Sequence, residues 1–340
     1  MPHRDRDRAI DLILGEIPEV PVWPQLSTFP AEQMMIQYLE GLPGVKEKDG
    51  HVLLQTDTAD FEGELLSFYE EYLEVESNSR ELADSRFKMG PETGGTFFRF
   101  LEALDRASQP FRALKGQIVG PFTLLSGLKD QQDRMLLYDD RMQDAVAKHL
   151  AMKARWQIRQ LKAFGRPVIM FMDEPALAGF GSSAFISVTR ELIAQLLKEV
   201  VDAIHEEGGL AGIHVCANTD WLLAFHSSVD IINFDAYNYF EKFALYKDAF
   251  LQYMKEGHIV AWGIVPTSDP AQILQEAPES LADRWLKHIT GFTGPDMPVA
   301  TILSQSLFTP SCGCGSLSED MAERVVRFTR EVSEMMQSHL

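Results

Sequence analysis

The sequence predicts an α/β protein, a (β/α)8 TIM barrel with an N-terminal extension over residues 1–20. Short apolar, β-prone runs alternate with long amphipathic stretches, which is the pattern of a sheet covered by helices. The later runs each end in polar or turn residues, where a parallel strand hands over to a loop. The 340 residues exceed the roughly 250 that eight such units need, leaving room for the extension. A doubly wound open sheet is the alternative. It is weakened because no glycine-rich dinucleotide fingerprint follows the first strand. No internal repeat, low-complexity tract or linker divides the chain, so residues 1–340 read as one domain.

Taken in order, "PEVPVWPQLSTFP" reads as a first strand ending in a polar loop near residues 25–28, and "HVLLQTD" as a short hairpin strand. "ADFEGELLSFYEEYLE" is helical in pattern. "KMGPETGGTFFRFLEALDRA" reads as a loop and then a helix. "LKGQIVGPFTLLSGL" gives a strand, a turn at Gly120 and Pro121, and a helix start, and a long helical block follows over residues 136–164. Then come "RPVIMFMDEPAL", "GLAGIHVCAN", "VDIINFDAY", "HIVAWGIVPT" and "PVATILSQSLFTP", each β-rich, most of them separated by helical blocks.

Composition narrows the function. Hydrophobic residues make up 45% and charged residues 24%, ordinary for a globular enzyme. The formal charge of -19, from 31 basic and 50 acidic residues, argues against a nucleic-acid or anionic-membrane surface. The N-terminal stretch lacks the apolar core of a secretory signal, and no run is long enough to span a membrane. Three cysteines do not make a disulfide framework. A reducing cytoplasm is the expected compartment.

In a parallel barrel the chemistry gathers at the C-terminal strand ends. Those ends carry Gln25 and Ser27, Gly120 and Pro121, Asp173 and Glu174, His214 and Cys216, Asp235, Thr267, and the cysteines of "TPSCGCG". His214 and Cys216 are two apart on a strand and so share a face. Imidazole and thiolate are preferred donors of Zn²⁺, and a catalytic site holds it with three protein ligands and an open position. His214, Cys216 and one of Cys312 or Cys314 meet that need. The plain alternative is a set of structural cysteines beside a satisfied histidine. Asp173 and Glu174 have opposite strand parity, so one of them faces the pocket. An acid there suits a substrate ammonium, or serves in a structural salt bridge.

"MDEPAL", "HVC", "DIINFD" and "TPSCG", in this order and spacing, resemble the C-terminal catalytic barrel of the cobalamin-independent methionine synthase family. "GPFTLLSGL" is similar to that family's Gly-Pro-x-Thr segment, and "STFP" to its first-strand loop. The likeness runs from about Val20 to the C-terminus, and the pairing of HxC with a late Pro-x-Cys-Gly is its most specific part. The resemblance implies Zn²⁺ held by His214, Cys216 and Cys312. Asp235 falls where the family has a fourth, glutamate ligand. It also implies Asp173 on the homocysteine amino group and the loop of Gln25 and Ser27 near the substrate carboxylate. The implied activity is methyl transfer to a thiol activated as thiolate.

The chain departs from that family in three ways. Asp235 is shorter than glutamate. Val265 stands where the family has a histidine that assists proton transfer. One barrel's worth of sequence is present, without the tryptophan the longer enzymes carry near the pterin, which favours a methyl-corrinoid donor, on a partner protein, over methyl-folate. Related barrels keep three alternatives open: a methylcobalamin:thiol (coenzyme M-type) methyltransferase, a decarboxylase-like lyase without metal, and a non-catalytic metal- or corrinoid-binding protein.

Overall fold

A computed structural model describes residues 1–48, 51–107 and 111–338. Its main sheet has six parallel strands and does not close, so the eight-stranded barrel expected from the sequence is corrected. β1 (Val45–Lys48) and β2 (His51–Leu54) form an antiparallel hairpin of their own. The six-stranded sheet runs in chain order through β3 (Leu114–Val119), β4 (Val168–Asp173), β5 (Leu210–Val215), β6 (Ile231–Phe234), β7 (Ile259–Val265) and β8 (Ser306–Pro310).

Proline explains one missing strand. The stretch taken for a first strand runs beside β3, where Glu19 O accepts from Arg112 N at 2.7 Å and Pro21 O from Lys115 N at 3.0 Å. Pro18, Pro21 and Pro24 have no N–H to return to a ladder. The pairing reduces to a single parallel bridge, Val22 to Lys115. A second correction concerns "PVATILSQSLFTP". Val299–Ser304 is helical and the strand begins only at Ser306. Ile302 and Leu303 are buried by that turn of helix.

The helices are α1 (Arg6–Glu16), α2 (Ala59–Glu76), α3 (Gly95–Arg106), α4 (Pro121–Gly127), α5 (Asp140–Lys162), α6 (Arg190–Glu206) and α7 (Trp221–Phe225). Beyond them lie α8 (Ala236–Phe243), α9 (Lys247–Lys255), α10 (Pro270–Gln275), α11 (Pro278–Thr290), α12 (Val299–Ser304) and α13 (Glu319–Gln337). Side-chain caps start the long ones: Thr58 accepts from Phe61 N, Asp139 from Arg141 N, Thr189 from Leu192 N and Ser318 from Met321 N. Such a cap contributes about 1 kcal/mol. The N-terminal extension is bonded into this shell. Arg6 pairs with the buried Glu32 at 2.7 Å, and Arg8 reaches Glu319 at 2.9 Å and Glu323 at 2.6 Å on α13.

The two faces of the sheet differ sharply. One carries Met170, Met172, Ile213, Val215, Ile232, Phe234, Val260 and Trp262, all buried in the main core under the helices. Each stabilises the fold by roughly 1.5–3 kcal/mol through its burial. The other, inner face has a small apolar cluster of Ala113, Ile169, Phe171, Ile231 and Ala261. Above that cluster the inner face turns polar. Parallel register puts Asp173, His214 and Asn233 in one row across β4, β5 and β6. Cys216 and Asp235 stand one row further on, beyond the ends of β5 and β6.

Candidate metal centre

His214 is the penultimate residue of β5 and Cys216 follows its end, so both project from the inner face. Cys312 lies in the loop after β8. The donor atoms of His214, Cys216 and Cys312 all lie within 4.8 Å of one another. β5 and β8 are three strand intervals apart, about 14 Å on a flat sheet. The donors meet because the sheet curls into a half-barrel that brings the end of its last strand over its middle.

One neighbour fixes the histidine, and that neighbour is itself held in place. His214 Nδ1 lies 2.6 Å from Asn233 Oδ1. Asn233 Nδ2 donates to Ala261 O at 2.8 Å and to Thr309 Oγ1 at 2.9 Å, which sets the amide so that its oxygen faces the ring. Nδ1 therefore carries a proton, and Nε2 is left for the sulfurs. Second-sphere bonds of this kind hold metal-ligating histidines in one tautomer. A borderline-soft ion such as Zn²⁺ suits one imidazole and two sulfurs. Cys216 is half-buried and Cys312 exposed, so the cluster opens on the Cys312 side.

Electrostatics inside the cluster point the same way. Hydrogen bonds from Cys216 and His214 hold the Cys312 thiol well below the usual range. Cys216 is pushed up by its hydrogen bond to that thiolate and by burial. Burial disfavours the His214 imidazolium, but the Cys312 hydrogen bond and the Asp173 and Cys312 charges outweigh it and raise its pKa. The three groups share charge readily, as sulfur and imidazole donors to a cation must.

The other residues singled out from the sequence lie outside the donor group. Cys314 is buried, its thiol pushed up to about 11 by burial, and Cys312 takes the place beside His214. Asp235 spends both carboxylate oxygens on α8, accepting from Asn238 N at 2.9 Å and from Asn238 Nδ2 at 2.8 Å. Gln25 donates to Gln37 Oε1 at 2.7 Å, and Ser27 Oγ is 3.5 Å from Met1 O. Asp173 and Glu174 separate by parity. Asp173 stands in register with His214. Glu174 is fully buried and accepts from Phe122 N at 3.0 Å, Thr123 N at 2.7 Å and Thr123 Oγ1 at 2.6 Å. Gly120 permits this, because a Cβ there would overlap the Glu174 side chain.

Sequence reasoning passed over Asn233, Lys115 and Phe171. Asn233 is the polar residue in "DIINFD" two before Asp235, and that parity with a candidate site residue was the available signal. Phe171 looks like core, but its ring crosses to β5 and occupies the space where a side chain at Gly212 would be. It forms a floor beneath Asp173 and His214. Lys115 Nζ rests 4.3 Å from the centre of that ring.

No protein-family profile matches the chain, and no curated protein matches it in sequence. Among solved structures, the tandem GH20 catalytic modules of the pneumococcal exo-β-D-N-acetylglucosaminidase align with a TM-score of 0.39 at 10% identity. That alignment covers 85% of this chain and 72% of that one. A likeness this slight carries no argument. Among the described residues no helix is long and apolar enough to cross a membrane.

Proposed function

We propose that the protein is a zinc-dependent methyltransferase of the cytoplasm that acts on a small thiol, of which homocysteine is the best fit. The observation that carries this reading is the cluster of His214, Cys216 and Cys312, with donor atoms within 4.8 Å and the histidine tautomer set by Asn233. His214 Nε2 and the sulfurs of Cys216 and Cys312 would hold the metal. Zinc, when bound, supplies the positive charge that keeps a substrate thiol deprotonated at neutral pH.

The chain's own residues do the rest. Asn233 holds the imidazole plane, and Phe171 closes the floor under His214. Burial raises the pKa of Asp173, against the opposing charges of His214 and Lys115. A buried acid of that kind is stabilised as carboxylate by an ammonium group brought by the substrate. The thiol proton leaves to solvent through the open side at Cys312. The sulfur lone pair then forms the new S–CH₃ bond, while the bond from methyl to donor breaks with its electron pair staying on the donor. A methyl-corrinoid on a partner protein suits a donor reaching an exposed cluster, with methyl-folate as the second candidate. Positioning of the two reactants contributes much of the acceleration.

The test is metal content of the purified, reduced protein followed by homocysteine titration. About one zinc per chain with a proton released on thiol binding supports the reading. A protein that takes up no zinc when supplied with it overturns the reading.

A further inference from the structure

Lys115 lies on the inner face of β3, two positions before Gln117, and rises along the strand to rest over Phe171. Phe171 is the inner-face residue directly below Asp173 on β4. Its ring runs on to Gly212, directly below His214. The ammonium therefore sits at the foot of the space that has Asp173 on one wall and the His214 cluster at its mouth.

Three observations give this lysine a task. It is the one lysine or arginine that β3 to β8 place on the inner face. Among the described residues its Nζ has the Phe171 ring as its contact, and no ion pair or hydrogen bond. The side chains expected to receive a substrate carboxylate, those of Gln25 and Ser27, turn instead to Gln37 and Met1. An ammonium on an aromatic face, on the inner side of the sheet below Asp173, is suited to pair with an anion.

We propose that Lys115 receives the anionic end of the substrate, so that the acceptor is a thiol carrying an ammonium for Asp173 and a carboxylate or similar anion for Lys115. This rests on the thiol-activating reading of the cluster. It narrows the substrate to zwitterionic thiols and sets aside sulfonate thiols that bring no ammonium. Burial lowers the lysine pKa to about 8, with Asp173 opposing, so the group is mainly charged at neutral pH.

The experiment compares two thiols that differ only in the carboxylate, L-homocysteine and 3-aminopropanethiol. Each is titrated calorimetrically into zinc-loaded protein, for wild type, Lys115→Met and Lys115→Arg. We expect wild type to bind homocysteine at least tenfold more tightly. Lys115→Met should bind the two thiols equally, with its affinity for 3-aminopropanethiol unchanged, and Lys115→Arg should keep part of the preference. Lys115→Gln replaces the methionine variant should the latter fail to fold. The same preference in the uncharged variants, or none in wild type, overturns the assignment. If zinc is bound but neither thiol binds, the thiol-activating reading fails and takes this one with it.

Discussion

His214 Nδ1 lies 2.6 Å from Asn233 Oδ1, across two neighbouring strands that pair these residues in register. The contact makes β6 an orienting element for the imidazole on β5. Asn233→Ala frees the ring to rotate and to change tautomer. Zinc affinity should fall about 10–100-fold, read by competition with a chromophoric chelator. An unchanged affinity would mean that the bond plays no part in ligation.

The three cysteines should behave differently. Cys216→Ser and Cys312→Ser each remove a donor from the cluster and should abolish tight metal binding. Cys314→Ser should keep stoichiometric zinc, because Cys314 is buried outside the donor group. Metal analysis after dialysis against chelator separates the cases. Full zinc in Cys216→Ser overturns the site.

Asp173 and Lys115 should separate by ligand. Asp173→Asn should weaken thiols that carry an ammonium by about tenfold or more, the cost of losing a charge-assisted hydrogen bond. It should leave zinc content intact. Thiol titrations that match wild type would remove Asp173 from the substrate site.

Gly212→Ala places a methyl group in the space held by the Phe171 ring. Overpacking of this kind costs about 1–3 kcal/mol. The urea midpoint should fall, and adding Phe171→Leu should restore part of it. If Gly212→Ala alone is as stable as wild type, the ring does not lie against β5.

Lys153 on α5 is fully buried, with Nζ donating to Lys88 O at 3.1 Å. Burial lowers its pKa to about 8, against the charge of Glu40. Between pH 8 and the ordinary lysine value the unfolded chain holds a proton that the folded chain has lost. Unfolding then takes up a proton, and stability from this group rises with pH. Lys153→Met should be more stable than wild type at pH 7 by about 1–3 kcal/mol, an advantage that shrinks by pH 10. Urea unfolding at both pH values reads it. A gap that stays constant with pH would show that the lysine does not titrate there.

What the sequence made legible was local. Period-two spacing put His214 with Cys216 and separated Asp173 from Glu174, and the structure keeps both relations. That the sheet stops at six strands and stays open was not legible, because closure depends on pairing between segments far apart in the chain. The apolar content of "PEVPVWPQ" masked prolines that prevent a full ladder. The partition of the cysteines was equally hidden. Cys312 and Cys314 flank one glycine, and only the path of the loop after β8 sends one to His214 and buries the other. Lys115 and Phe171 gain their roles from Gly212 on the next strand, a relation no local pattern encodes.

The curl that brings Cys312 over β5 also joins the two ends of a long stretch of chain. An ion shared by Cys216 and Cys312 would close a loop of roughly 100 residues, and a cross-link over so long a loop removes more freedom from the unfolded chain than one over a short loop. It spans β6, β7 and β8 and pins the free edge of the sheet to its centre. On the proposed reading, metal loading would work as a reversible clasp. The protection of β8 amides against hydrogen exchange should follow zinc occupancy, with the last strand the first to open in the metal-free chain.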